Sequence, residues 1–319
     1  MKRTQVKENP YKNSDSNKRY YTYDYYLRRT FGGKCAKISI DGGFTCPNMD
    51  GRCGYGGCIY CGGDFAPTRE DSIEAQFASQ VESAGKKWRT DRYIAYFQAH
   101  TNTYAPVCIL RDKFERALSQ NGVVGMNIAT RADCLPDDTV EYLADLAERT
   151  VLTVELGLQT ASDDTARLIN RGHSFEAFVD GYNRLRAASP KINICIHLIL
   201  GLPGEGRDDM LATVRRVAAL APDQVKLHML YVTRGTKLAQ MYEKGEYFPI
   251  EREEYIRTVC EALTLLPPDT VIARITGDGA GDSLIAPEWS RKKIAVINDI
   301  DKHLFENRLW QGKNFGGNL

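Results

Sequence analysis

The stretch "KISIDGGFTCPNMDGRCGYGGCIYCGG", residues 37–63, decides how the chain is read. It opens on a β-branched, strand-like run, Lys37–Asp41, and passes into a glycine-rich loop. That loop holds Cys46, Cys58 and Cys61 in the spacing C-x11-C-x2-C. Thiolates gathered in this way are soft ligands suited to zinc or to an iron–sulfur cluster. A structural zinc site usually closes with four ligands in paired C-x2-4-C units. Here one such pair exists, Cys58 and Cys61, and Cys53 is available as a fourth thiolate. Spacing alone therefore leaves a closed site and a three-thiolate cluster both open. The second would leave one iron free for a small molecule.

Downstream of this loop, apolar β-branched runs alternate with amphipathic ones. Candidate strands are Lys37–Asp41, Tyr93–Phe97, Gly125–Ala129, Leu152–Gly157, Ile194–Leu200, Lys226–Val232 and Val271–Thr276. Between them Ile73, Phe77, Val81 and Trp88 recur at helical spacing, and Ser174 stands as an N-cap before Phe175, Phe178 and Val179. Such alternation predicts parallel strands joined by right-handed crossovers. Six such units fit an α/β fold of the partial (β/α)6 TIM-like barrel type, with its active site at the C-terminal strand ends. The cysteine loop follows the first strand and so belongs at that mouth. Residues 1–36 are expected to form a basic, tyrosine-rich N-terminal segment, 37–266 the barrel, and 267–319 a C-terminal extension packed on it.

Composition narrows the class. Hydrophobic residues make up 43% of 319, enough for a substantial core. No apolar run approaches the roughly 20 residues of a membrane span, and the N-terminus has no apolar signal region. Nine cysteines without such a signal point to a reducing cytoplasm and to ligand or core thiols. Net charge is +1, but residues 1–40 carry ten Lys/Arg against three Asp/Glu. That imbalance suits either a solvated arm or a polyanion contact.

The loop "TCPNMDGRCGYGGCIYC" resembles the cluster-binding loop of the radical S-adenosylmethionine (SAM) enzymes. More narrowly, it resembles a bacterial group related to the catalytic subunit of Elongator. Members of that group carry CPN-x-DG followed by GG-C-x-[YF]-C. Further motifs agree in order: "TRADCL" (130–135), "VELGLQTASDDTARLINRGHSFEAF" (154–178) and "HLILGLPGE" (197–205). The resemblance covers nearly the whole chain. It implies a barrel of the radical SAM type, with Cys46, Cys58 and Cys61 as ligands of a 4Fe–4S cluster and Cys53 as a spectator. SAM would chelate the fourth iron and be cleaved reductively to a 5′-deoxyadenosyl radical that takes hydrogen from the substrate.

The same resemblance assigns the SAM contacts. Arg171 is expected to pair with the methionyl carboxylate, since a guanidinium fork suits it. Gln159 and Glu155 should meet the ribose or the amino group, although Glu155 is equally readable as a barrel-interior partner of a Lys or Arg. Gln98, Asn102 and Thr103 would supply neutral acceptors where relatives carry an acid. Gly201 would let the backbone approach adenine, with Leu202 packed on the ring. The segments Arg234–Lys237 and Arg274–Asp278 are further candidates for substrate contact.

Kinship with the Elongator subunit points to tRNA. The expected reaction remodels the C5 side chain of the wobble uridine, taking carboxymethylaminomethyl toward aminomethyl, because no acetyltransferase domain is evident. A flavodoxin or ferredoxin would supply the electron, and a tRNA methyltransferase could act afterwards. The N-terminal aromatics, among them Tyr11, Tyr20, Tyr23 and Tyr26, could stack on splayed bases while nearby cations meet phosphates, or could simply pack the arm on the barrel. Two other classes stay open: a radical SAM enzyme on a small metabolite or protein, and a non-catalytic cluster-binding protein.

Overall fold

The structure is a computed structural model that describes residues 9–62, 72–277 and 281–316. Residues 1–8 of the N-terminal segment and Asp278 lie outside the described residues. Seven parallel strands form one sheet in the order β1 (Ala36–Ile40), β2 (Tyr93–Phe97), β3 (Val123–Thr130), β4 (Val151–Gln159), β5 (Asn193–Leu200), β6 (Gln224–Met229) and β8 (Val271–Arg274). A short antiparallel pair, β7 (Val232–Thr233) and β9 (Leu284–Ala286), stands apart. All seven expected strands are present. The sheet does not end at residue 266, however: the segment read as an extension opens with β8, hydrogen-bonded to β6.

The strands alternate strictly between two environments, as the pleat requires. On β4, Leu152, Val154, Leu156 and Leu158 join the core beneath the helices, while Thr153, Glu155, Gly157 and Gln159 face the other way. On β5 and β6, Ile194, Ile196, Leu198, Val225, Leu227 and Met229 do the same, leaving His197, Lys226 and His228 on the inner face. The helices that cover the outer face include Ile73–Trp88, Asp137–Arg149, Phe175–Ala188, Arg207–Ala219 and Arg252–Leu265.

Side-chain contacts show how far the sheet curls. Lys226 Nζ on β6 lies 3.1 Å from Tyr96 OH on β2. Four strand spacings across a flat sheet would separate those elements by about 19 Å. β1 and β8 do not pair, so the barrel is open on one side.

The N-terminal segment closes the foot of that opening. Ile272 N–H donates to Tyr21 O at 2.8 Å, and Thr22 bridges to Ile272. The helix α1 (Tyr23–Phe31), capped by Thr22 Oγ1, follows at once. Tyr11 and Tyr20 are buried, Tyr11 OH donates to Pro268 O at 2.6 Å, and Lys37 Nζ sits 4.6 Å from the Tyr23 ring centroid. The arm's tyrosines thus pack against the barrel. They do so at the N-terminal strand ends, opposite the cysteine loop, with Tyr11 and Tyr20 buried and Tyr21, Tyr23, Tyr25 and Tyr26 half-buried.

Candidate active site

Cys46, Cys58 and Cys61 line one cavity of about 350 Å³ at the C-terminal ends of the strands. Cys53 is exposed and lines a separate hollow with Thr103 and Cys134. The loop is folded largely by its own backbone: Met49 N–H to Cys46 O, Cys53 N–H to Pro47 O and Cys61 N–H to Cys58 O, at 2.8, 2.8 and 2.9 Å. Its anchor is the Asn170–Gly172 turn. Asn170 Nδ2 donates to Gly57 O at 2.7 Å and to Tyr55 O at 3.2 Å. In return Asn48 Nδ2 donates to Asn170 O and reaches Cys58 Sγ at 3.8 Å. Gly172 has φ +84°, and a Cβ there would stand 2.4 Å from Asn48 Oδ1, so only glycine fits. Behind the thiols, Ile59 packs with Ile169, Ile199 and Leu202. A hydrogen bond from Cys61 draws the Cys58 thiol down to about 7, against the opposing effect of burial, with help from Tyr60, Arg131 and Asn48.

The cavity brings together part of the expected set. Gln98, Gln159, Glu155 and Arg171 all line it with the three cysteines. Gln159 is the member of this set with an acceptor to spare. Its backbone is held at φ +69°, and its buried Oε1 has no partner among the described residues. A strained residue that presents an unpaired acceptor marks a ligand contact.

Arg171 is otherwise engaged. Four of its five N–H donors are bonded to backbone carbonyls: Nε and Nη2 to His173 O at 3.1 and 2.7 Å, and Nη1 to Leu158 O and Thr160 O at 2.6 and 2.5 Å. Asp163 Oδ1 lies 3.6 Å from Nη2. No fork is left for a carboxylate, and the residue instead holds the turn that grips the cysteine loop.

Glu155 is the barrel-interior partner, not a SAM contact. Its carboxylate accepts from Asn127 Nδ2 at 2.6 Å, Tyr96 OH at 2.9 Å and His197 Nε2 at 2.9 Å, from Lys37 Nζ at 3.3 Å, and from Lys226 Nζ. Burial alone would raise its value, but Lys226, Lys37 and His197 outweigh that and hold the carboxyl well below the usual range.

Four expected contacts lie outside the cavity. Asn102 Nδ2 ties Ala129 O at 2.7 Å, and Thr103 Oγ1 donates to Cys134 O at 2.5 Å, so both fasten the loop after β2. Gly201, at φ +82°, makes room for Ile250, whose Cβ would stand 2.9 Å from an added methyl. Leu202 packs behind Ile59. The motif glycine and leucine therefore shape the wall rather than touch an adenine.

Sequence reasoning missed Asn48, Lys226 and Arg131, and left Arg274 as a broad candidate. Lys226 carried a readable signal: a lysine on the same parity as His228 inside an apolar run must face the barrel interior.

Three cysteines in one cavity wall form a soft donor set, and Gln159, with its buried unpartnered Oε1, lines the same space. Among the described residues no three His, Cys, Asp or Glu side chains are gathered closely enough to hold one metal ion. A four-iron cube spreads three thiolates over three irons, so this trio suits the larger group. The chain matches the model of the radical SAM superfamily over residues 49–217 and that of the Radical_SAM C-terminal domain over 222–306. It is 47% identical to the uncharacterized protein YtqA of Bacillus subtilis across 97% of both chains. It is 30% identical to a tRNA uridine(34) acetyltransferase of Dehalococcoides mccartyi across 50% of this chain and 34% of that one. In fold it resembles the archaeal Elp3 of Methanocaldococcus infernus, with a TM-score of 0.64 at 18% identity, over 87% of this chain and 64% of the other. The open seven-stranded barrel, the three-cysteine mouth and these matches agree: the chain belongs to the radical SAM superfamily and is a radical SAM enzyme.

Proposed function

We propose that this enzyme remodels the C5 side chain of the tRNA wobble uridine, converting carboxymethylaminomethyl toward aminomethyl: the two-carbon acid would leave as glyoxylate, with water supplying its aldehyde oxygen and its two electrons ending on SAM, released as methionine and 5′-deoxyadenosine. The observation that carries the reading is the 30% identity, over half the chain, to a protein whose printed name is tRNA uridine(34) acetyltransferase. Cys46, Cys58 and Cys61 would hold a 4Fe–4S cluster that, when loaded with SAM, supplies its one-electron reductive cleavage and a hydrogen-abstracting radical. The chain's own residues do the rest. Asn48, Asn170 and Arg171 fix the loop, Gln159 Oε1 offers an acceptor to a SAM amino or hydroxyl group, and the enclosing barrel excludes water. On the cysteine loop itself Tyr55 is 81% exposed and would be available to a splayed base. An electron from flavodoxin or ferredoxin and a following tRNA methyltransferase complete the proposal.

Asn48→Ala removes both the loop clamp and the N–H···S contact to Cys58. Its expected effect is a loss of roughly 10- to 100-fold in metal retention, the usual size for a residue that orients a ligand. Iron released to a chelator over time checks it, and release at the parental rate would refute it.

The function is tested by comparing wobble nucleosides in tRNA from a deletion strain and its parent. Carboxymethylaminomethyl-uridine, including its 2-thio form, should accumulate and aminomethyl derivatives should fall. An unchanged profile rejects the tRNA reading. Burial of the N-terminal tyrosines favours the second reading, a small-metabolite substrate, and that outcome would leave it standing.

A further inference from the structure

One rung of the cavity wall forms a cationic pole. Register places His197 beside Lys226 and Lys226 beside Arg274, one rung across β5, β6 and β8. All three line the cavity, with His228 close by. Among the described residues four cations line it, and three of them are paired or capped. Lys226 is ion-paired to Glu155, Arg131 to Asp133 at 2.8 Å, and Arg171 is capped by carbonyls. Arg274 makes no hydrogen bond or ion pair to any described residue. Glu155, the one carboxylate among the described lining residues, is saturated by its five partners.

The histidines do not compete for an anion. Burial, with the charges of Arg274 and Lys226, pushes His228 down to about 3 and His197 to about 4, so both are neutral near pH 7. His228 Nδ1 lies 3.1 Å from Met229 O. The charge of Arg274 is felt along the inner strands. It acts on Tyr96, Cys195, His197, His228 and Tyr255, whereas Arg131 and Arg171 are the arginines that act on Cys58 or Tyr60.

We propose that Arg274 is the receptor for a carboxylate carried by the substrate, and so sets which side chain is presented at the mouth. A guanidinium fork matches a carboxylate in two parallel hydrogen bonds. In a partly buried cavity an unmatched cation is costly, so a substrate that supplies the anion is favoured over one that lacks it. Identifying that anion with the carboxymethylamino group rests on the proposed function. The anion preference itself does not.

The test is equilibrium binding to the protein reconstituted with its cluster and SAM, without reductant so that nothing turns over. The probes are 5-carboxymethylaminomethyluridine, its methyl ester, N-methylglycine and inorganic phosphate. The wild type should prefer the acid to the ester by about tenfold or more, the usual size for a charged hydrogen-bonded contact. Arg274→Gln should abolish the preference while the ester binds as before. Arg274→Lys, which keeps the charge but not the fork, should retain part of it and carries the test if the glutamine variant fails to fold. Acid and ester binding alike to the wild type, or a preference that survives Arg274→Gln, overturns the inference. Phosphate binding more tightly than either carboxylate overturns it too, by assigning the pole to a phosphate. N-methylglycine binding through Arg274 while the nucleoside acid does not bind sustains the receptor and removes the wobble-uridine reading.

Discussion

Cys58→Ala is expected to abolish reductive cleavage of SAM and to strip iron from the protein. The loss should exceed the roughly 100-fold ceiling typical of residues that merely support a ligand, because a ligand itself is removed. Cys58 lies in the cavity wall with Cys46 and Cys61, and its thiol is the one already drawn toward ionisation. Cys53→Ala is the matched control. It is exposed, outside the cavity and contributes only a backbone contact to the loop fold. Iron and sulfide content, the brown absorbance of the anaerobically reconstituted protein, and 5′-deoxyadenosine formed with dithionite are the measurements. A Cys58→Ala variant with full iron and full SAM cleavage would sink the three-thiolate assignment. A Cys53→Ala variant that loses both would mean that the closed four-thiolate alternative had been set aside wrongly.

Glu155→Gln is expected to destabilise the fold by about 3–5 kcal/mol, the cost of leaving a buried ion without its partner. The carboxylate is fully enclosed and neutralises Lys226, itself buried, while also meeting Lys37. Adding Lys226→Met to Glu155→Gln should recover much of the loss, since a well-packed apolar pair often equals a buried salt bridge. Urea unfolding gives the numbers. A single variant within about 0.5 kcal/mol of the parent, the range of an ordinary surface change, would contradict the hub.

The same hub sets a direction for pH. Glu155 has a folded value below its unfolded one, near 4.3, so its contribution is present above that pH and is lost as pH falls through the folded value. His197, lowered from 6.5 to about 4, acts the same way in a higher window. Its contribution is present above about 6.5 and is lost on the way down to 4. The urea midpoint should therefore fall on acidification from pH 6.5, and Glu155→Gln should flatten the lower part of that slope.

The elements that sequence reasoning located are those written in local chemistry. Period-2 apolar runs separated by helical patterns gave each of the seven strands, because burying one face of a strand constrains every second residue. Boundaries moved by a residue or two where inner-face polar positions, such as Gln224 and Thr130, continue a strand that their polarity disguises. The seventh strand was visible as the run Val271–Thr276, yet its membership of the sheet was not. Pairing is a long-range contact, and nothing in that run names β6 as its neighbour.

Site residues divide along the same line. Cys46, Cys58 and Cys61 were legible because a cluster demands one residue type at a fixed spacing within one loop, and that demand is local. Arg171, Asn102, Thr103, Gly201 and Leu202 were read as SAM contacts, and in the structure each has a packing or hydrogen-bonding task within the protein. A motif marks a residue as constrained without saying whether a ligand or the backbone constrains it. For Arg171 the constraint is three backbone carbonyls, and for Gly201 it is the side chain of Ile250.

By itself, then, the sequence determined the α/β alternation, the loop that carries the thiols and their place after the first strand, all fixed by short-range periodicity and ligand chemistry. Only the tertiary structure decided that the tyrosine-rich arm plugs the foot of the barrel, that Glu155 is spent on Lys226 and Lys37, and that Arg274 reaches the cavity with no hydrogen bond or ion pair to a described residue. Those outcomes depend on how tightly the sheet curls. The curl brings β2 and β6 within hydrogen-bond reach, and it is a property of the packed whole.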